Sequence, residues 1–421
     1  MDKSEILNKL QNLNKNIFVA SQLLNKNNKS DNVRKFDITK ELPDCERIVS
    51  DLGEFIKLTT KTPLSEIGNF PQNISKILSI ITYEKEFEGI NLHDLLFIDT
   101  ETTGLAGGTG TFPFLTGIGY FENENFVVEQ YLMEDYQHEL AMMSEISKRF
   151  KNYKAFVSYN GKSFDIPLLQ NRFISNRLPI NFSKYLHLDL LYPARRLWKR
   201  QIDQCNLGNV EDKVLNISRK DDIPGNLIPY VYFDYVRGIR CERMITVLSH
   251  NREDIISLAR LLSEIASFVE NPEYEKLQSD TCLLGLGLMF EKNKQFDRAI
   301  YCLEKALKIT DDLELYNHIS KWLTMCIRRS GCWEKGVIFW QCEIETKSVY
   351  KHEASIELAK YYEHKEKDHK KALELVTNVY KSIELKKEFS KEIYGQIDKD
   401  LDQLDQITKR LERLIAKINK V

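Results

Sequence analysis

The sequence lacks long apolar runs and a strong excess of charge of either sign. No stretch approaches the roughly 18 apolar residues of a membrane span, and the N-terminus is charged. Lysine and arginine number 60 against 62 aspartate and glutamate, which gives a formal net charge of -2. We therefore expect a cytoplasmic protein without a membrane partner, which must contact any polyanion through a local basic patch or bound cations.

Paired cysteines and a P-loop are also missing. The eight cysteines include no Cys-x-x-Cys pair and no histidines at zinc-ligand spacing, so we interpret them as reduced, mostly buried thiols. Gly104–Thr111 contains four glycines but lacks the closing Gly-Lys-Ser or Gly-Lys-Thr of a P-loop. A nucleotide-hydrolysing P-loop enzyme is therefore unsupported.

The length of 421 residues suggests two or three domains, and the sequence pattern changes twice. Residues 1–88 are rich in lysine and asparagine, with short amphipathic patterns, and predict a helical N-terminal extension. Residues 89–270 mix apolar strand-like runs with helical periodicity. Residues 271–421 are nearly all helical in pattern.

The central region predicts a mixed α/β sheet with flanking helices. Its first strand is the apolar run Leu95–Ile98, and two strand-like segments separated by a polar turn then predict a hairpin. Helices and strands alternate afterwards, which favours an α/β fold. The later predicted elements are the hairpin at 114–120 and 126–131, helices at 138–150, 167–177 and 243–269, and strands at 155–159 and 187–190.

The last region repeats a short pattern of an aromatic residue or histidine, charged residues, a small residue and an apolar helix. The small residues are Ala299, Gly336 and Ala372, which are 37 and 36 residues apart. This period lies near that of tetratricopeptide repeats, so we predict an all-α tetratricopeptide-like C-terminal domain. An unrelated helical bundle is the alternative.

Acidic residues follow two of the predicted strands and recur on the long helix. Asp99 and Glu101 are two positions apart, so on an extended chain both face one side. Asp165 follows a second strand, where a helix N-cap is the alternative. His250 and Asp254 lie one helical turn apart and share a face, although a solvated pair would show the same spacing.

Taken together, these residues resemble the motifs of the DEDD-type 3'-5' exonucleases of the ribonuclease-H-like superfamily, over about residues 90–270. The long first motif, Asp99–Thr111, resembles more narrowly the YprB-type ribonuclease-H-like family, whose members often carry tetratricopeptide repeats downstream. The matching residues are Asp99 and Glu101 in the first motif, Asn160, Phe164 and Asp165 in the second, Asp254 in the third, and the His187–Leu190 segment.

The resemblance implies a ribonuclease-H-like fold and a metal-dependent nuclease that hydrolyses DNA or RNA, with nucleic acid as its partner. It implies that two Mg²⁺ or Mn²⁺ ions are held by Asp99, Glu101, Asp165 and Asp254. Phosphodiester hydrolysis adds charge on the attacking and leaving oxygens, which two divalent ions can stabilise. Carboxylates are the hard oxygen ligands that these ions prefer.

His250 is the candidate general base or water-orienting residue, because imidazole accepts a proton near neutral pH. The superfamily usually has a histidine five residues, or a tyrosine four residues, before the last aspartate. Here the histidine stands four residues before Asp254. A structural role or a role beside the metal is therefore the alternative for His250.

Two further segments predict substrate contacts. Glycine lets a backbone approach a phosphate or ribose closely, although a flexible turn would also use the four glycines after the first motif. The run 195–200 carries four cations and a tryptophan, which predicts phosphate contacts and base stacking or, equally, a helix with a solvated basic side. The predicted substrate residues are Thr102, Gly104, Gly107, Gly108, Asn160, Phe164, Arg195, Arg196, Trp198 and Lys199.

Three functions are compatible with these patterns. The first is a 3'-5' exonuclease whose helical region docks a protein partner or guides the substrate. The second is a catalytically silent nucleic-acid-binding protein or scaffold, against which the complete set of four acids argues. The third is an interaction adaptor in which the helical repeats dominate.

Overall fold

The computed structural model describes residues 36–104, 110–219, 222–273, 277, 279–393 and 399–419. Within these ranges seven strands form one mixed sheet in the order β1-β2-β5-β4-β3-β6-β7. Strands β3, β6 and β7 run parallel, and the other neighbours are antiparallel. The strands are β1 Cys45–Ser50, β2 Gly53–Pro63, β3 Leu95–Thr102, β4 Pro113–Glu122, β5 Asn125–Leu132, β6 Ala155–Ser158 and β7 Leu186–Asp189.

The helices of the described ranges lie on both faces of the sheet and continue beyond it. Those before the last third of the chain are α1 Ile38–Glu41, α2 Leu64–Ile67, α3 Ile74–Thr82, α4 Glu139–Phe150, α5 Asp165–Ser175, α6 Leu191–Trp198, α7 Leu207–Val210, α8 Ile228–Val236 and α9 Arg243–Glu270. The later ones are α10 Asp280–Lys292, α11 Phe296–Ile309, α12 Leu313–Ser330, α13 Trp333–Glu345, α14 Lys351–Tyr361, α15 His369–Ile393 and α16 Lys399–Ile418.

Alternating apolar side chains of the central strand divide the interior into two layers. In β3, Phe97 packs into the cluster beneath α9, whereas Ile98 packs into the opposite cluster with α4, α5 and α8. Both faces of the sheet are therefore covered, which explains why β3 begins as a continuous apolar run. The predicted mixed sheet with flanking helices is confirmed, including the hairpin of β4 and β5.

The prediction that residues 1–88 are helical is wrong for the part that forms β1 and β2. These two strands extend the sheet, since β2 pairs with β5 from Ile56 to Pro63. Residues 58–62, Leu-Thr-Thr-Lys-Thr, suit an edge region of a sheet because threonine favours strands. Gly53 supplies the positive φ of 126° at the hairpin turn. Residues 1–35 lie outside the described residues, and the boundaries at 88 and 270 stay predictions.

The C-terminal region is all helical, as expected, and it shares its core with the sheet region. The cluster beneath α9 continues into α10 to α14 without a break. At the contact, a Cβ added to Gly285 in α10 would lie 2.2 Å from the backbone oxygen of Arg196 in α6. Only glycine permits this approach of the two helices.

None of the described helices combines the length and the apolarity needed to cross a membrane.

The three small residues of the repeated pattern lie at equivalent positions. Ala299, Gly336 and Ala372 are all buried, and each lies three residues after the start of its helix, in α11, α13 and α15. The helices therefore follow one another as α10/α11, α12/α13 and α14/α15, with a small residue in the second helix of each pair. The tetratricopeptide-like assignment itself stays a prediction.

A buried carboxylate attaches the last helix. Glu363, which is 1% exposed, accepts hydrogen bonds from Arg410 and Lys417 at 2.8 Å and from Arg413 at 3.0 Å. Burial alone raises the pKa of Glu363, but the bonds from Lys417 and Arg413 outweigh it and lower this pKa to about 2. The ionised form of Glu363 therefore stabilises the docking of α16.

Replacing Glu363 by glutamine should lower the free energy of unfolding by roughly 1–3 kcal/mol at pH 7, because buried cations lose their counter-charge. Since the folded pKa lies below the ordinary value of 4.5, the difference should be complete above that pH and vanish as pH falls towards 2. Denaturant titration at several pH values measures it. Asp405→Asn, which removes an exposed pair with Lys409 on the same helix, should have almost no effect. Equal effects of the two variants would contradict this account.

Candidate active site

The acidic residues of the first two motifs meet where two parallel strands end side by side. Asp99 and Glu101 lie in the last half of β3, and Asp165 begins α5 shortly after β6. Because β3 and β6 are parallel neighbours, their carboxyl ends lie at one edge of the sheet. The β3–β4 register shifts between Glu101 and Thr102, an irregularity that sheets often carry next to active sites.

Asp165 is fixed by the backbone that separates the two acids of the first motif. Its Oδ1 accepts hydrogen bonds from the backbone nitrogen of Thr100 at 3.1 Å and from the Thr100 hydroxyl at 2.5 Å. The alternative of a simple helix cap does not describe this contact, since the bond joins the first residue of α5 to the central strand β3.

The long helix α9 brings the third motif to the same place. The Nε2 atom of His250 lies 3.6 Å from Asp254 Oδ2 and 3.9 Å from Glu101 Oε1. Among the described residues, Glu101, His250 and Asp254 offer ligand atoms that all lie within 4.8 Å of one another. These side chains are 13–17% exposed and so remain open to small ions.

Electrostatics shows that the four carboxylates share one site. Burial raises the pKa of Asp99 well above its ordinary value, and Asp254, Glu101 and Asp165 each raise it further. Burial likewise raises the pKa of Glu101 to about 8, although the nearby His250 lowers it in part. Burial also raises the pKa of Asp165 to about 6. The ionised forms of these acids are therefore disfavoured unless positive charge is added.

The donor set fits a hard divalent cation. It combines carboxylate oxygens with one imidazole nitrogen, and oxygen ligands suit Mg²⁺ and Mn²⁺. The raised pKa values of Glu101 and Asp165 give an independent reason, because a cation would restore their ionised forms.

Asn251 positions Asp99 from beneath, and sequence reasoning missed it. Its side-chain nitrogen donates to Asp99 Oδ2 at 2.7 Å, and its Oδ1 accepts from Gln130 at 2.9 Å. Asn251 is fully buried. Gly117, which pairs with Asp99 across the sheet, leaves the room for this amide, since a Cβ there would lie 2.3 Å from Asn251 Oδ1. The available sequence signal for this contact was a glycine at the position that pairs with an acidic residue of the neighbouring strand.

Asp222 and Arg219, which precede α8, also contact the third motif, and neither was predicted. His250 Nδ1 lies 2.8 Å from Asp222 Oδ1, which leaves Nε2 directed towards Glu101 and Asp254. Burial lowers the pKa of His250, but Asp254 and Asp222 outweigh burial and raise it. Arg219 forms an ion pair with Asp254. No periodic pattern marks these two residues in the sequence.

The second motif loop is held by Asp189. Asp189 accepts from the backbone nitrogens of Asn160 at 2.7 Å, Lys162 at 3.1 Å and Leu191 at 3.1 Å. Asn160 takes the left-handed conformation with φ of 64°. His187 bonds Ser158 at 2.7 Å, and burial lowers its pKa to about 4, which is typical of a semi-buried structural histidine.

The predicted substrate residues near the acids are partly accessible. Phe164 is 58% exposed and immediately precedes Asp165. Thr102 is half-buried and donates from its hydroxyl to the carbonyl of Gly104 at 2.8 Å. Gly107 and Gly108 lie outside the described residues.

The basic run of α6 divides into two halves, which corrects part of its prediction. Arg195 and Lys199 are exposed and line a groove of about 610 Å³ together with Asn160. Trp198 is only 4% exposed and packs on Phe268, so it cannot stack on a base as it stands.

Arg196 belongs to the inward half of the same run. Its guanidinium lies 4.2 Å from the ring centroid of Tyr83 and bonds the carbonyl of Ile81. Arg196 and Trp198 therefore contact the rest of the protein from two different sides of the helix, while Arg195 and Lys199, which are one turn apart, face solvent.

Comparison with known proteins agrees with this architecture. The RNase H superfamily profile matches residues 96–266. YprB of Bacillus subtilis (strain 168) is 32% identical over 291 residues, which cover 68% of this chain and 69% of YprB. The chain therefore belongs to the YprB family, and residues 96–266 form an RNase H superfamily domain.

Proposed function

We propose that the protein is a metal-dependent nuclease of the 3'-5' exonuclease type, acting on DNA or RNA. The superfamily implies phosphodiester hydrolase activity. The observation that carries the proposal is the convergence of Asp99, Glu101, Asp165 and Asp254, in which burial and then the other three carboxylates raise the pKa of Asp99. These residues would hold two Mg²⁺ or Mn²⁺ ions, which supply positive charge for the anionic phosphodiester in its transition state.

The protein's own residues orient the acids and handle a proton. Asn251 holds Asp99, and Thr100 holds Asp165, so two of the four carboxylates are fixed before any ligand arrives. His250 Nε2 faces the acids, while Asp222 holds Nδ1. In this arrangement Nε2 is the atom that accepts a proton from the attacking water.

A groove beside the second motif offers a track for a substrate strand. The groove bordered by Arg195 and Lys199 reaches Asn160, and exposed Phe164 follows on the same motif. Cationic side chains bind backbone phosphates, and an exposed aromatic ring stacks on a base. We propose that Arg195 and Lys199 grip the strand while Phe164 stacks near its end. The helical region would dock a protein partner or guide the strand.

A catalytically silent scaffold is the competing proposal. It gives no reason for keeping four acids close together in a partly open site, because their mutual repulsion is a cost to a fold that binds no cation. The nuclease proposal therefore ranks first.

Purified protein should degrade end-labelled single- or double-stranded DNA or RNA with Mn²⁺ or Mg²⁺, releasing label in the order expected for attack from the 3' end. Asp254→Asn, purified identically to control for contaminants, should lose about 10²-fold or more of this activity because charge stabilisation is lost. Equal activity of variant and wild type, or no activity on any of these substrates, would contradict the nuclease proposal.

Mn²⁺ affinity should rise with pH in isothermal titration. The pKa values of about 8 for Glu101 and about 6 for Asp165 mean that cation binding must displace protons below pH 8. Between about pH 6 and pH 8 we expect roughly tenfold tighter binding per pH unit for the one proton that must leave Glu101. Asp99→Ala should abolish the signal. Isotherms that are indistinguishable between this variant and the wild type would refute the metal site.

The pH–rate profile tests the proton role of His250. In the wild type the rate should rise with pH on the acidic side as the imidazole loses its proton, and replacing His250 by alanine should remove this acidic limb. The replacement should also lower the plateau rate by about 10²-fold or more. Asp222→Asn should shift that limb to lower pH, since the carboxylate raises the pKa of His250. An unchanged profile in His250→Ala would leave His250 a structural role only.

A further inference from the structure

A guanidinium lies inside the acidic site. Arg219 follows the π-helical turn Glu211–Leu215, and its Nη2 forms ion pairs with both Glu211 Oε1 and Asp254 Oδ1. Its Nη1 lies 3.4 Å from the carbonyl oxygen of His250 and 3.5 Å from Asp222 Oδ2. The side chain is 13% exposed. One arginine therefore contacts both Asp254 and the backbone of His250.

Arg219 changes the charge balance of one side of the site. Asp254 is in contact with a fixed positive charge, whereas Asp99 is held by the neutral amide of Asn251. In the metal-free protein, part of the carboxylate repulsion is thus relieved by the chain itself. A cation that approaches Asp254 meets a like charge already in place.

Arg219 pairs with three carboxylates, and two of them, Glu211 and Asp254, differ in exposure. Glu211 is only 2% exposed and lies in the π-helical turn, eight residues before Arg219. Asp254 is 17% exposed and faces the other acids. The guanidinium can therefore keep Glu211, a buried counter-charge, while it releases Asp254.

We propose that Arg219 is an internal counter-cation that occupies Asp254 in the metal-free protein and competes with a divalent cation for this carboxylate. Arg219 is thus a positioning residue that sets the cation affinity of the site. This inference rests on the proposed metal site. It differs from a purely structural ion pair, whose loss weakens the fold and cation binding together, because here the two effects have opposite signs.

Titration of Mn²⁺ into Arg219→Gln tests the proposal. The variant should bind Mn²⁺ at least roughly tenfold more tightly than the wild type, since a like charge is removed. It should also melt at a lower temperature in EDTA, because Glu211 and Asp254 lose their partner. Its gain in melting temperature with Mn²⁺ should then exceed that of the wild type.

Arg149→Gln is the matched control. Arg149 pairs with buried Glu129 through a 2.8 Å bond, in the same manner as Arg219, but from α4 on the other face of the sheet. It should lower the melting temperature without changing Mn²⁺ affinity. Arg219→Lys keeps the charge but loses the second nitrogen, through which the guanidinium also contacts Asp222 and the His250 carbonyl, so its affinity should lie between those of the wild type and Arg219→Gln.

The possible outcomes distinguish a failure of the Arg219 proposal from a failure of the proposed metal site. Unchanged or weaker Mn²⁺ binding in Arg219→Gln would overturn the proposed competition between Arg219 and the cation for Asp254, but not the proposed metal site. If Arg219→Gln does not fold, wild-type affinity in Arg219→Lys overturns it equally. Absence of Mn²⁺ binding in both wild type and variants removes the metal site and this inference together.

Discussion

The burial and mutual repulsion of four largely buried carboxylates form the constraint on which the rest of the structure depends. Burial raises the pKa of one of them, Asp99, and the other three carboxylates raise it further. Nothing in the stability of the fold requires such an arrangement, since isolated buried charges are costly. The proposed divalent cations would relieve this cost, because they are strongly positive and small enough to enter a partly open site.

The fold is organised to hold these acids in place despite their repulsion. Two parallel strands bring the first and second motifs to one edge, and α9 crosses that edge with the third. Beneath the site, Gly117 makes room for Asn251, which fixes Asp99. At its side, Arg219 supplies a positive charge from within the chain. The site thus combines neutral hydrogen-bond support on one side with internal charge compensation on the other.

Local patterns in the sequence predicted much of this architecture. The apolar run of β3, the hairpin of β4 and β5, and the periodicity of α9 are properties of neighbouring residues, and all three were confirmed. The i, i+2 spacing of Asp99 and Glu101 placed two acids on one face for the same reason. The structure brings His250 and Asp254 to these acids.

Features that depend on distant partners could not be predicted in this way. Strands β1 and β2 belong to the sheet only through pairing with β5, some seventy residues later in the chain. Asp222 and Arg219 lie in a segment without periodicity, so their contacts with α9 left no signal. The composition of the basic run at 195–200 did not reveal that Trp198 faces inward.

The central claim is that these acids bind divalent cations, and anomalous diffraction tests it most directly. Crystals soaked in Mn²⁺ should show anomalous difference density among the carboxylate oxygens of Asp99, Glu101, Asp165 and Asp254. A saturating soak that leaves this position without anomalous density, with the four side chains still converging, would contradict the account.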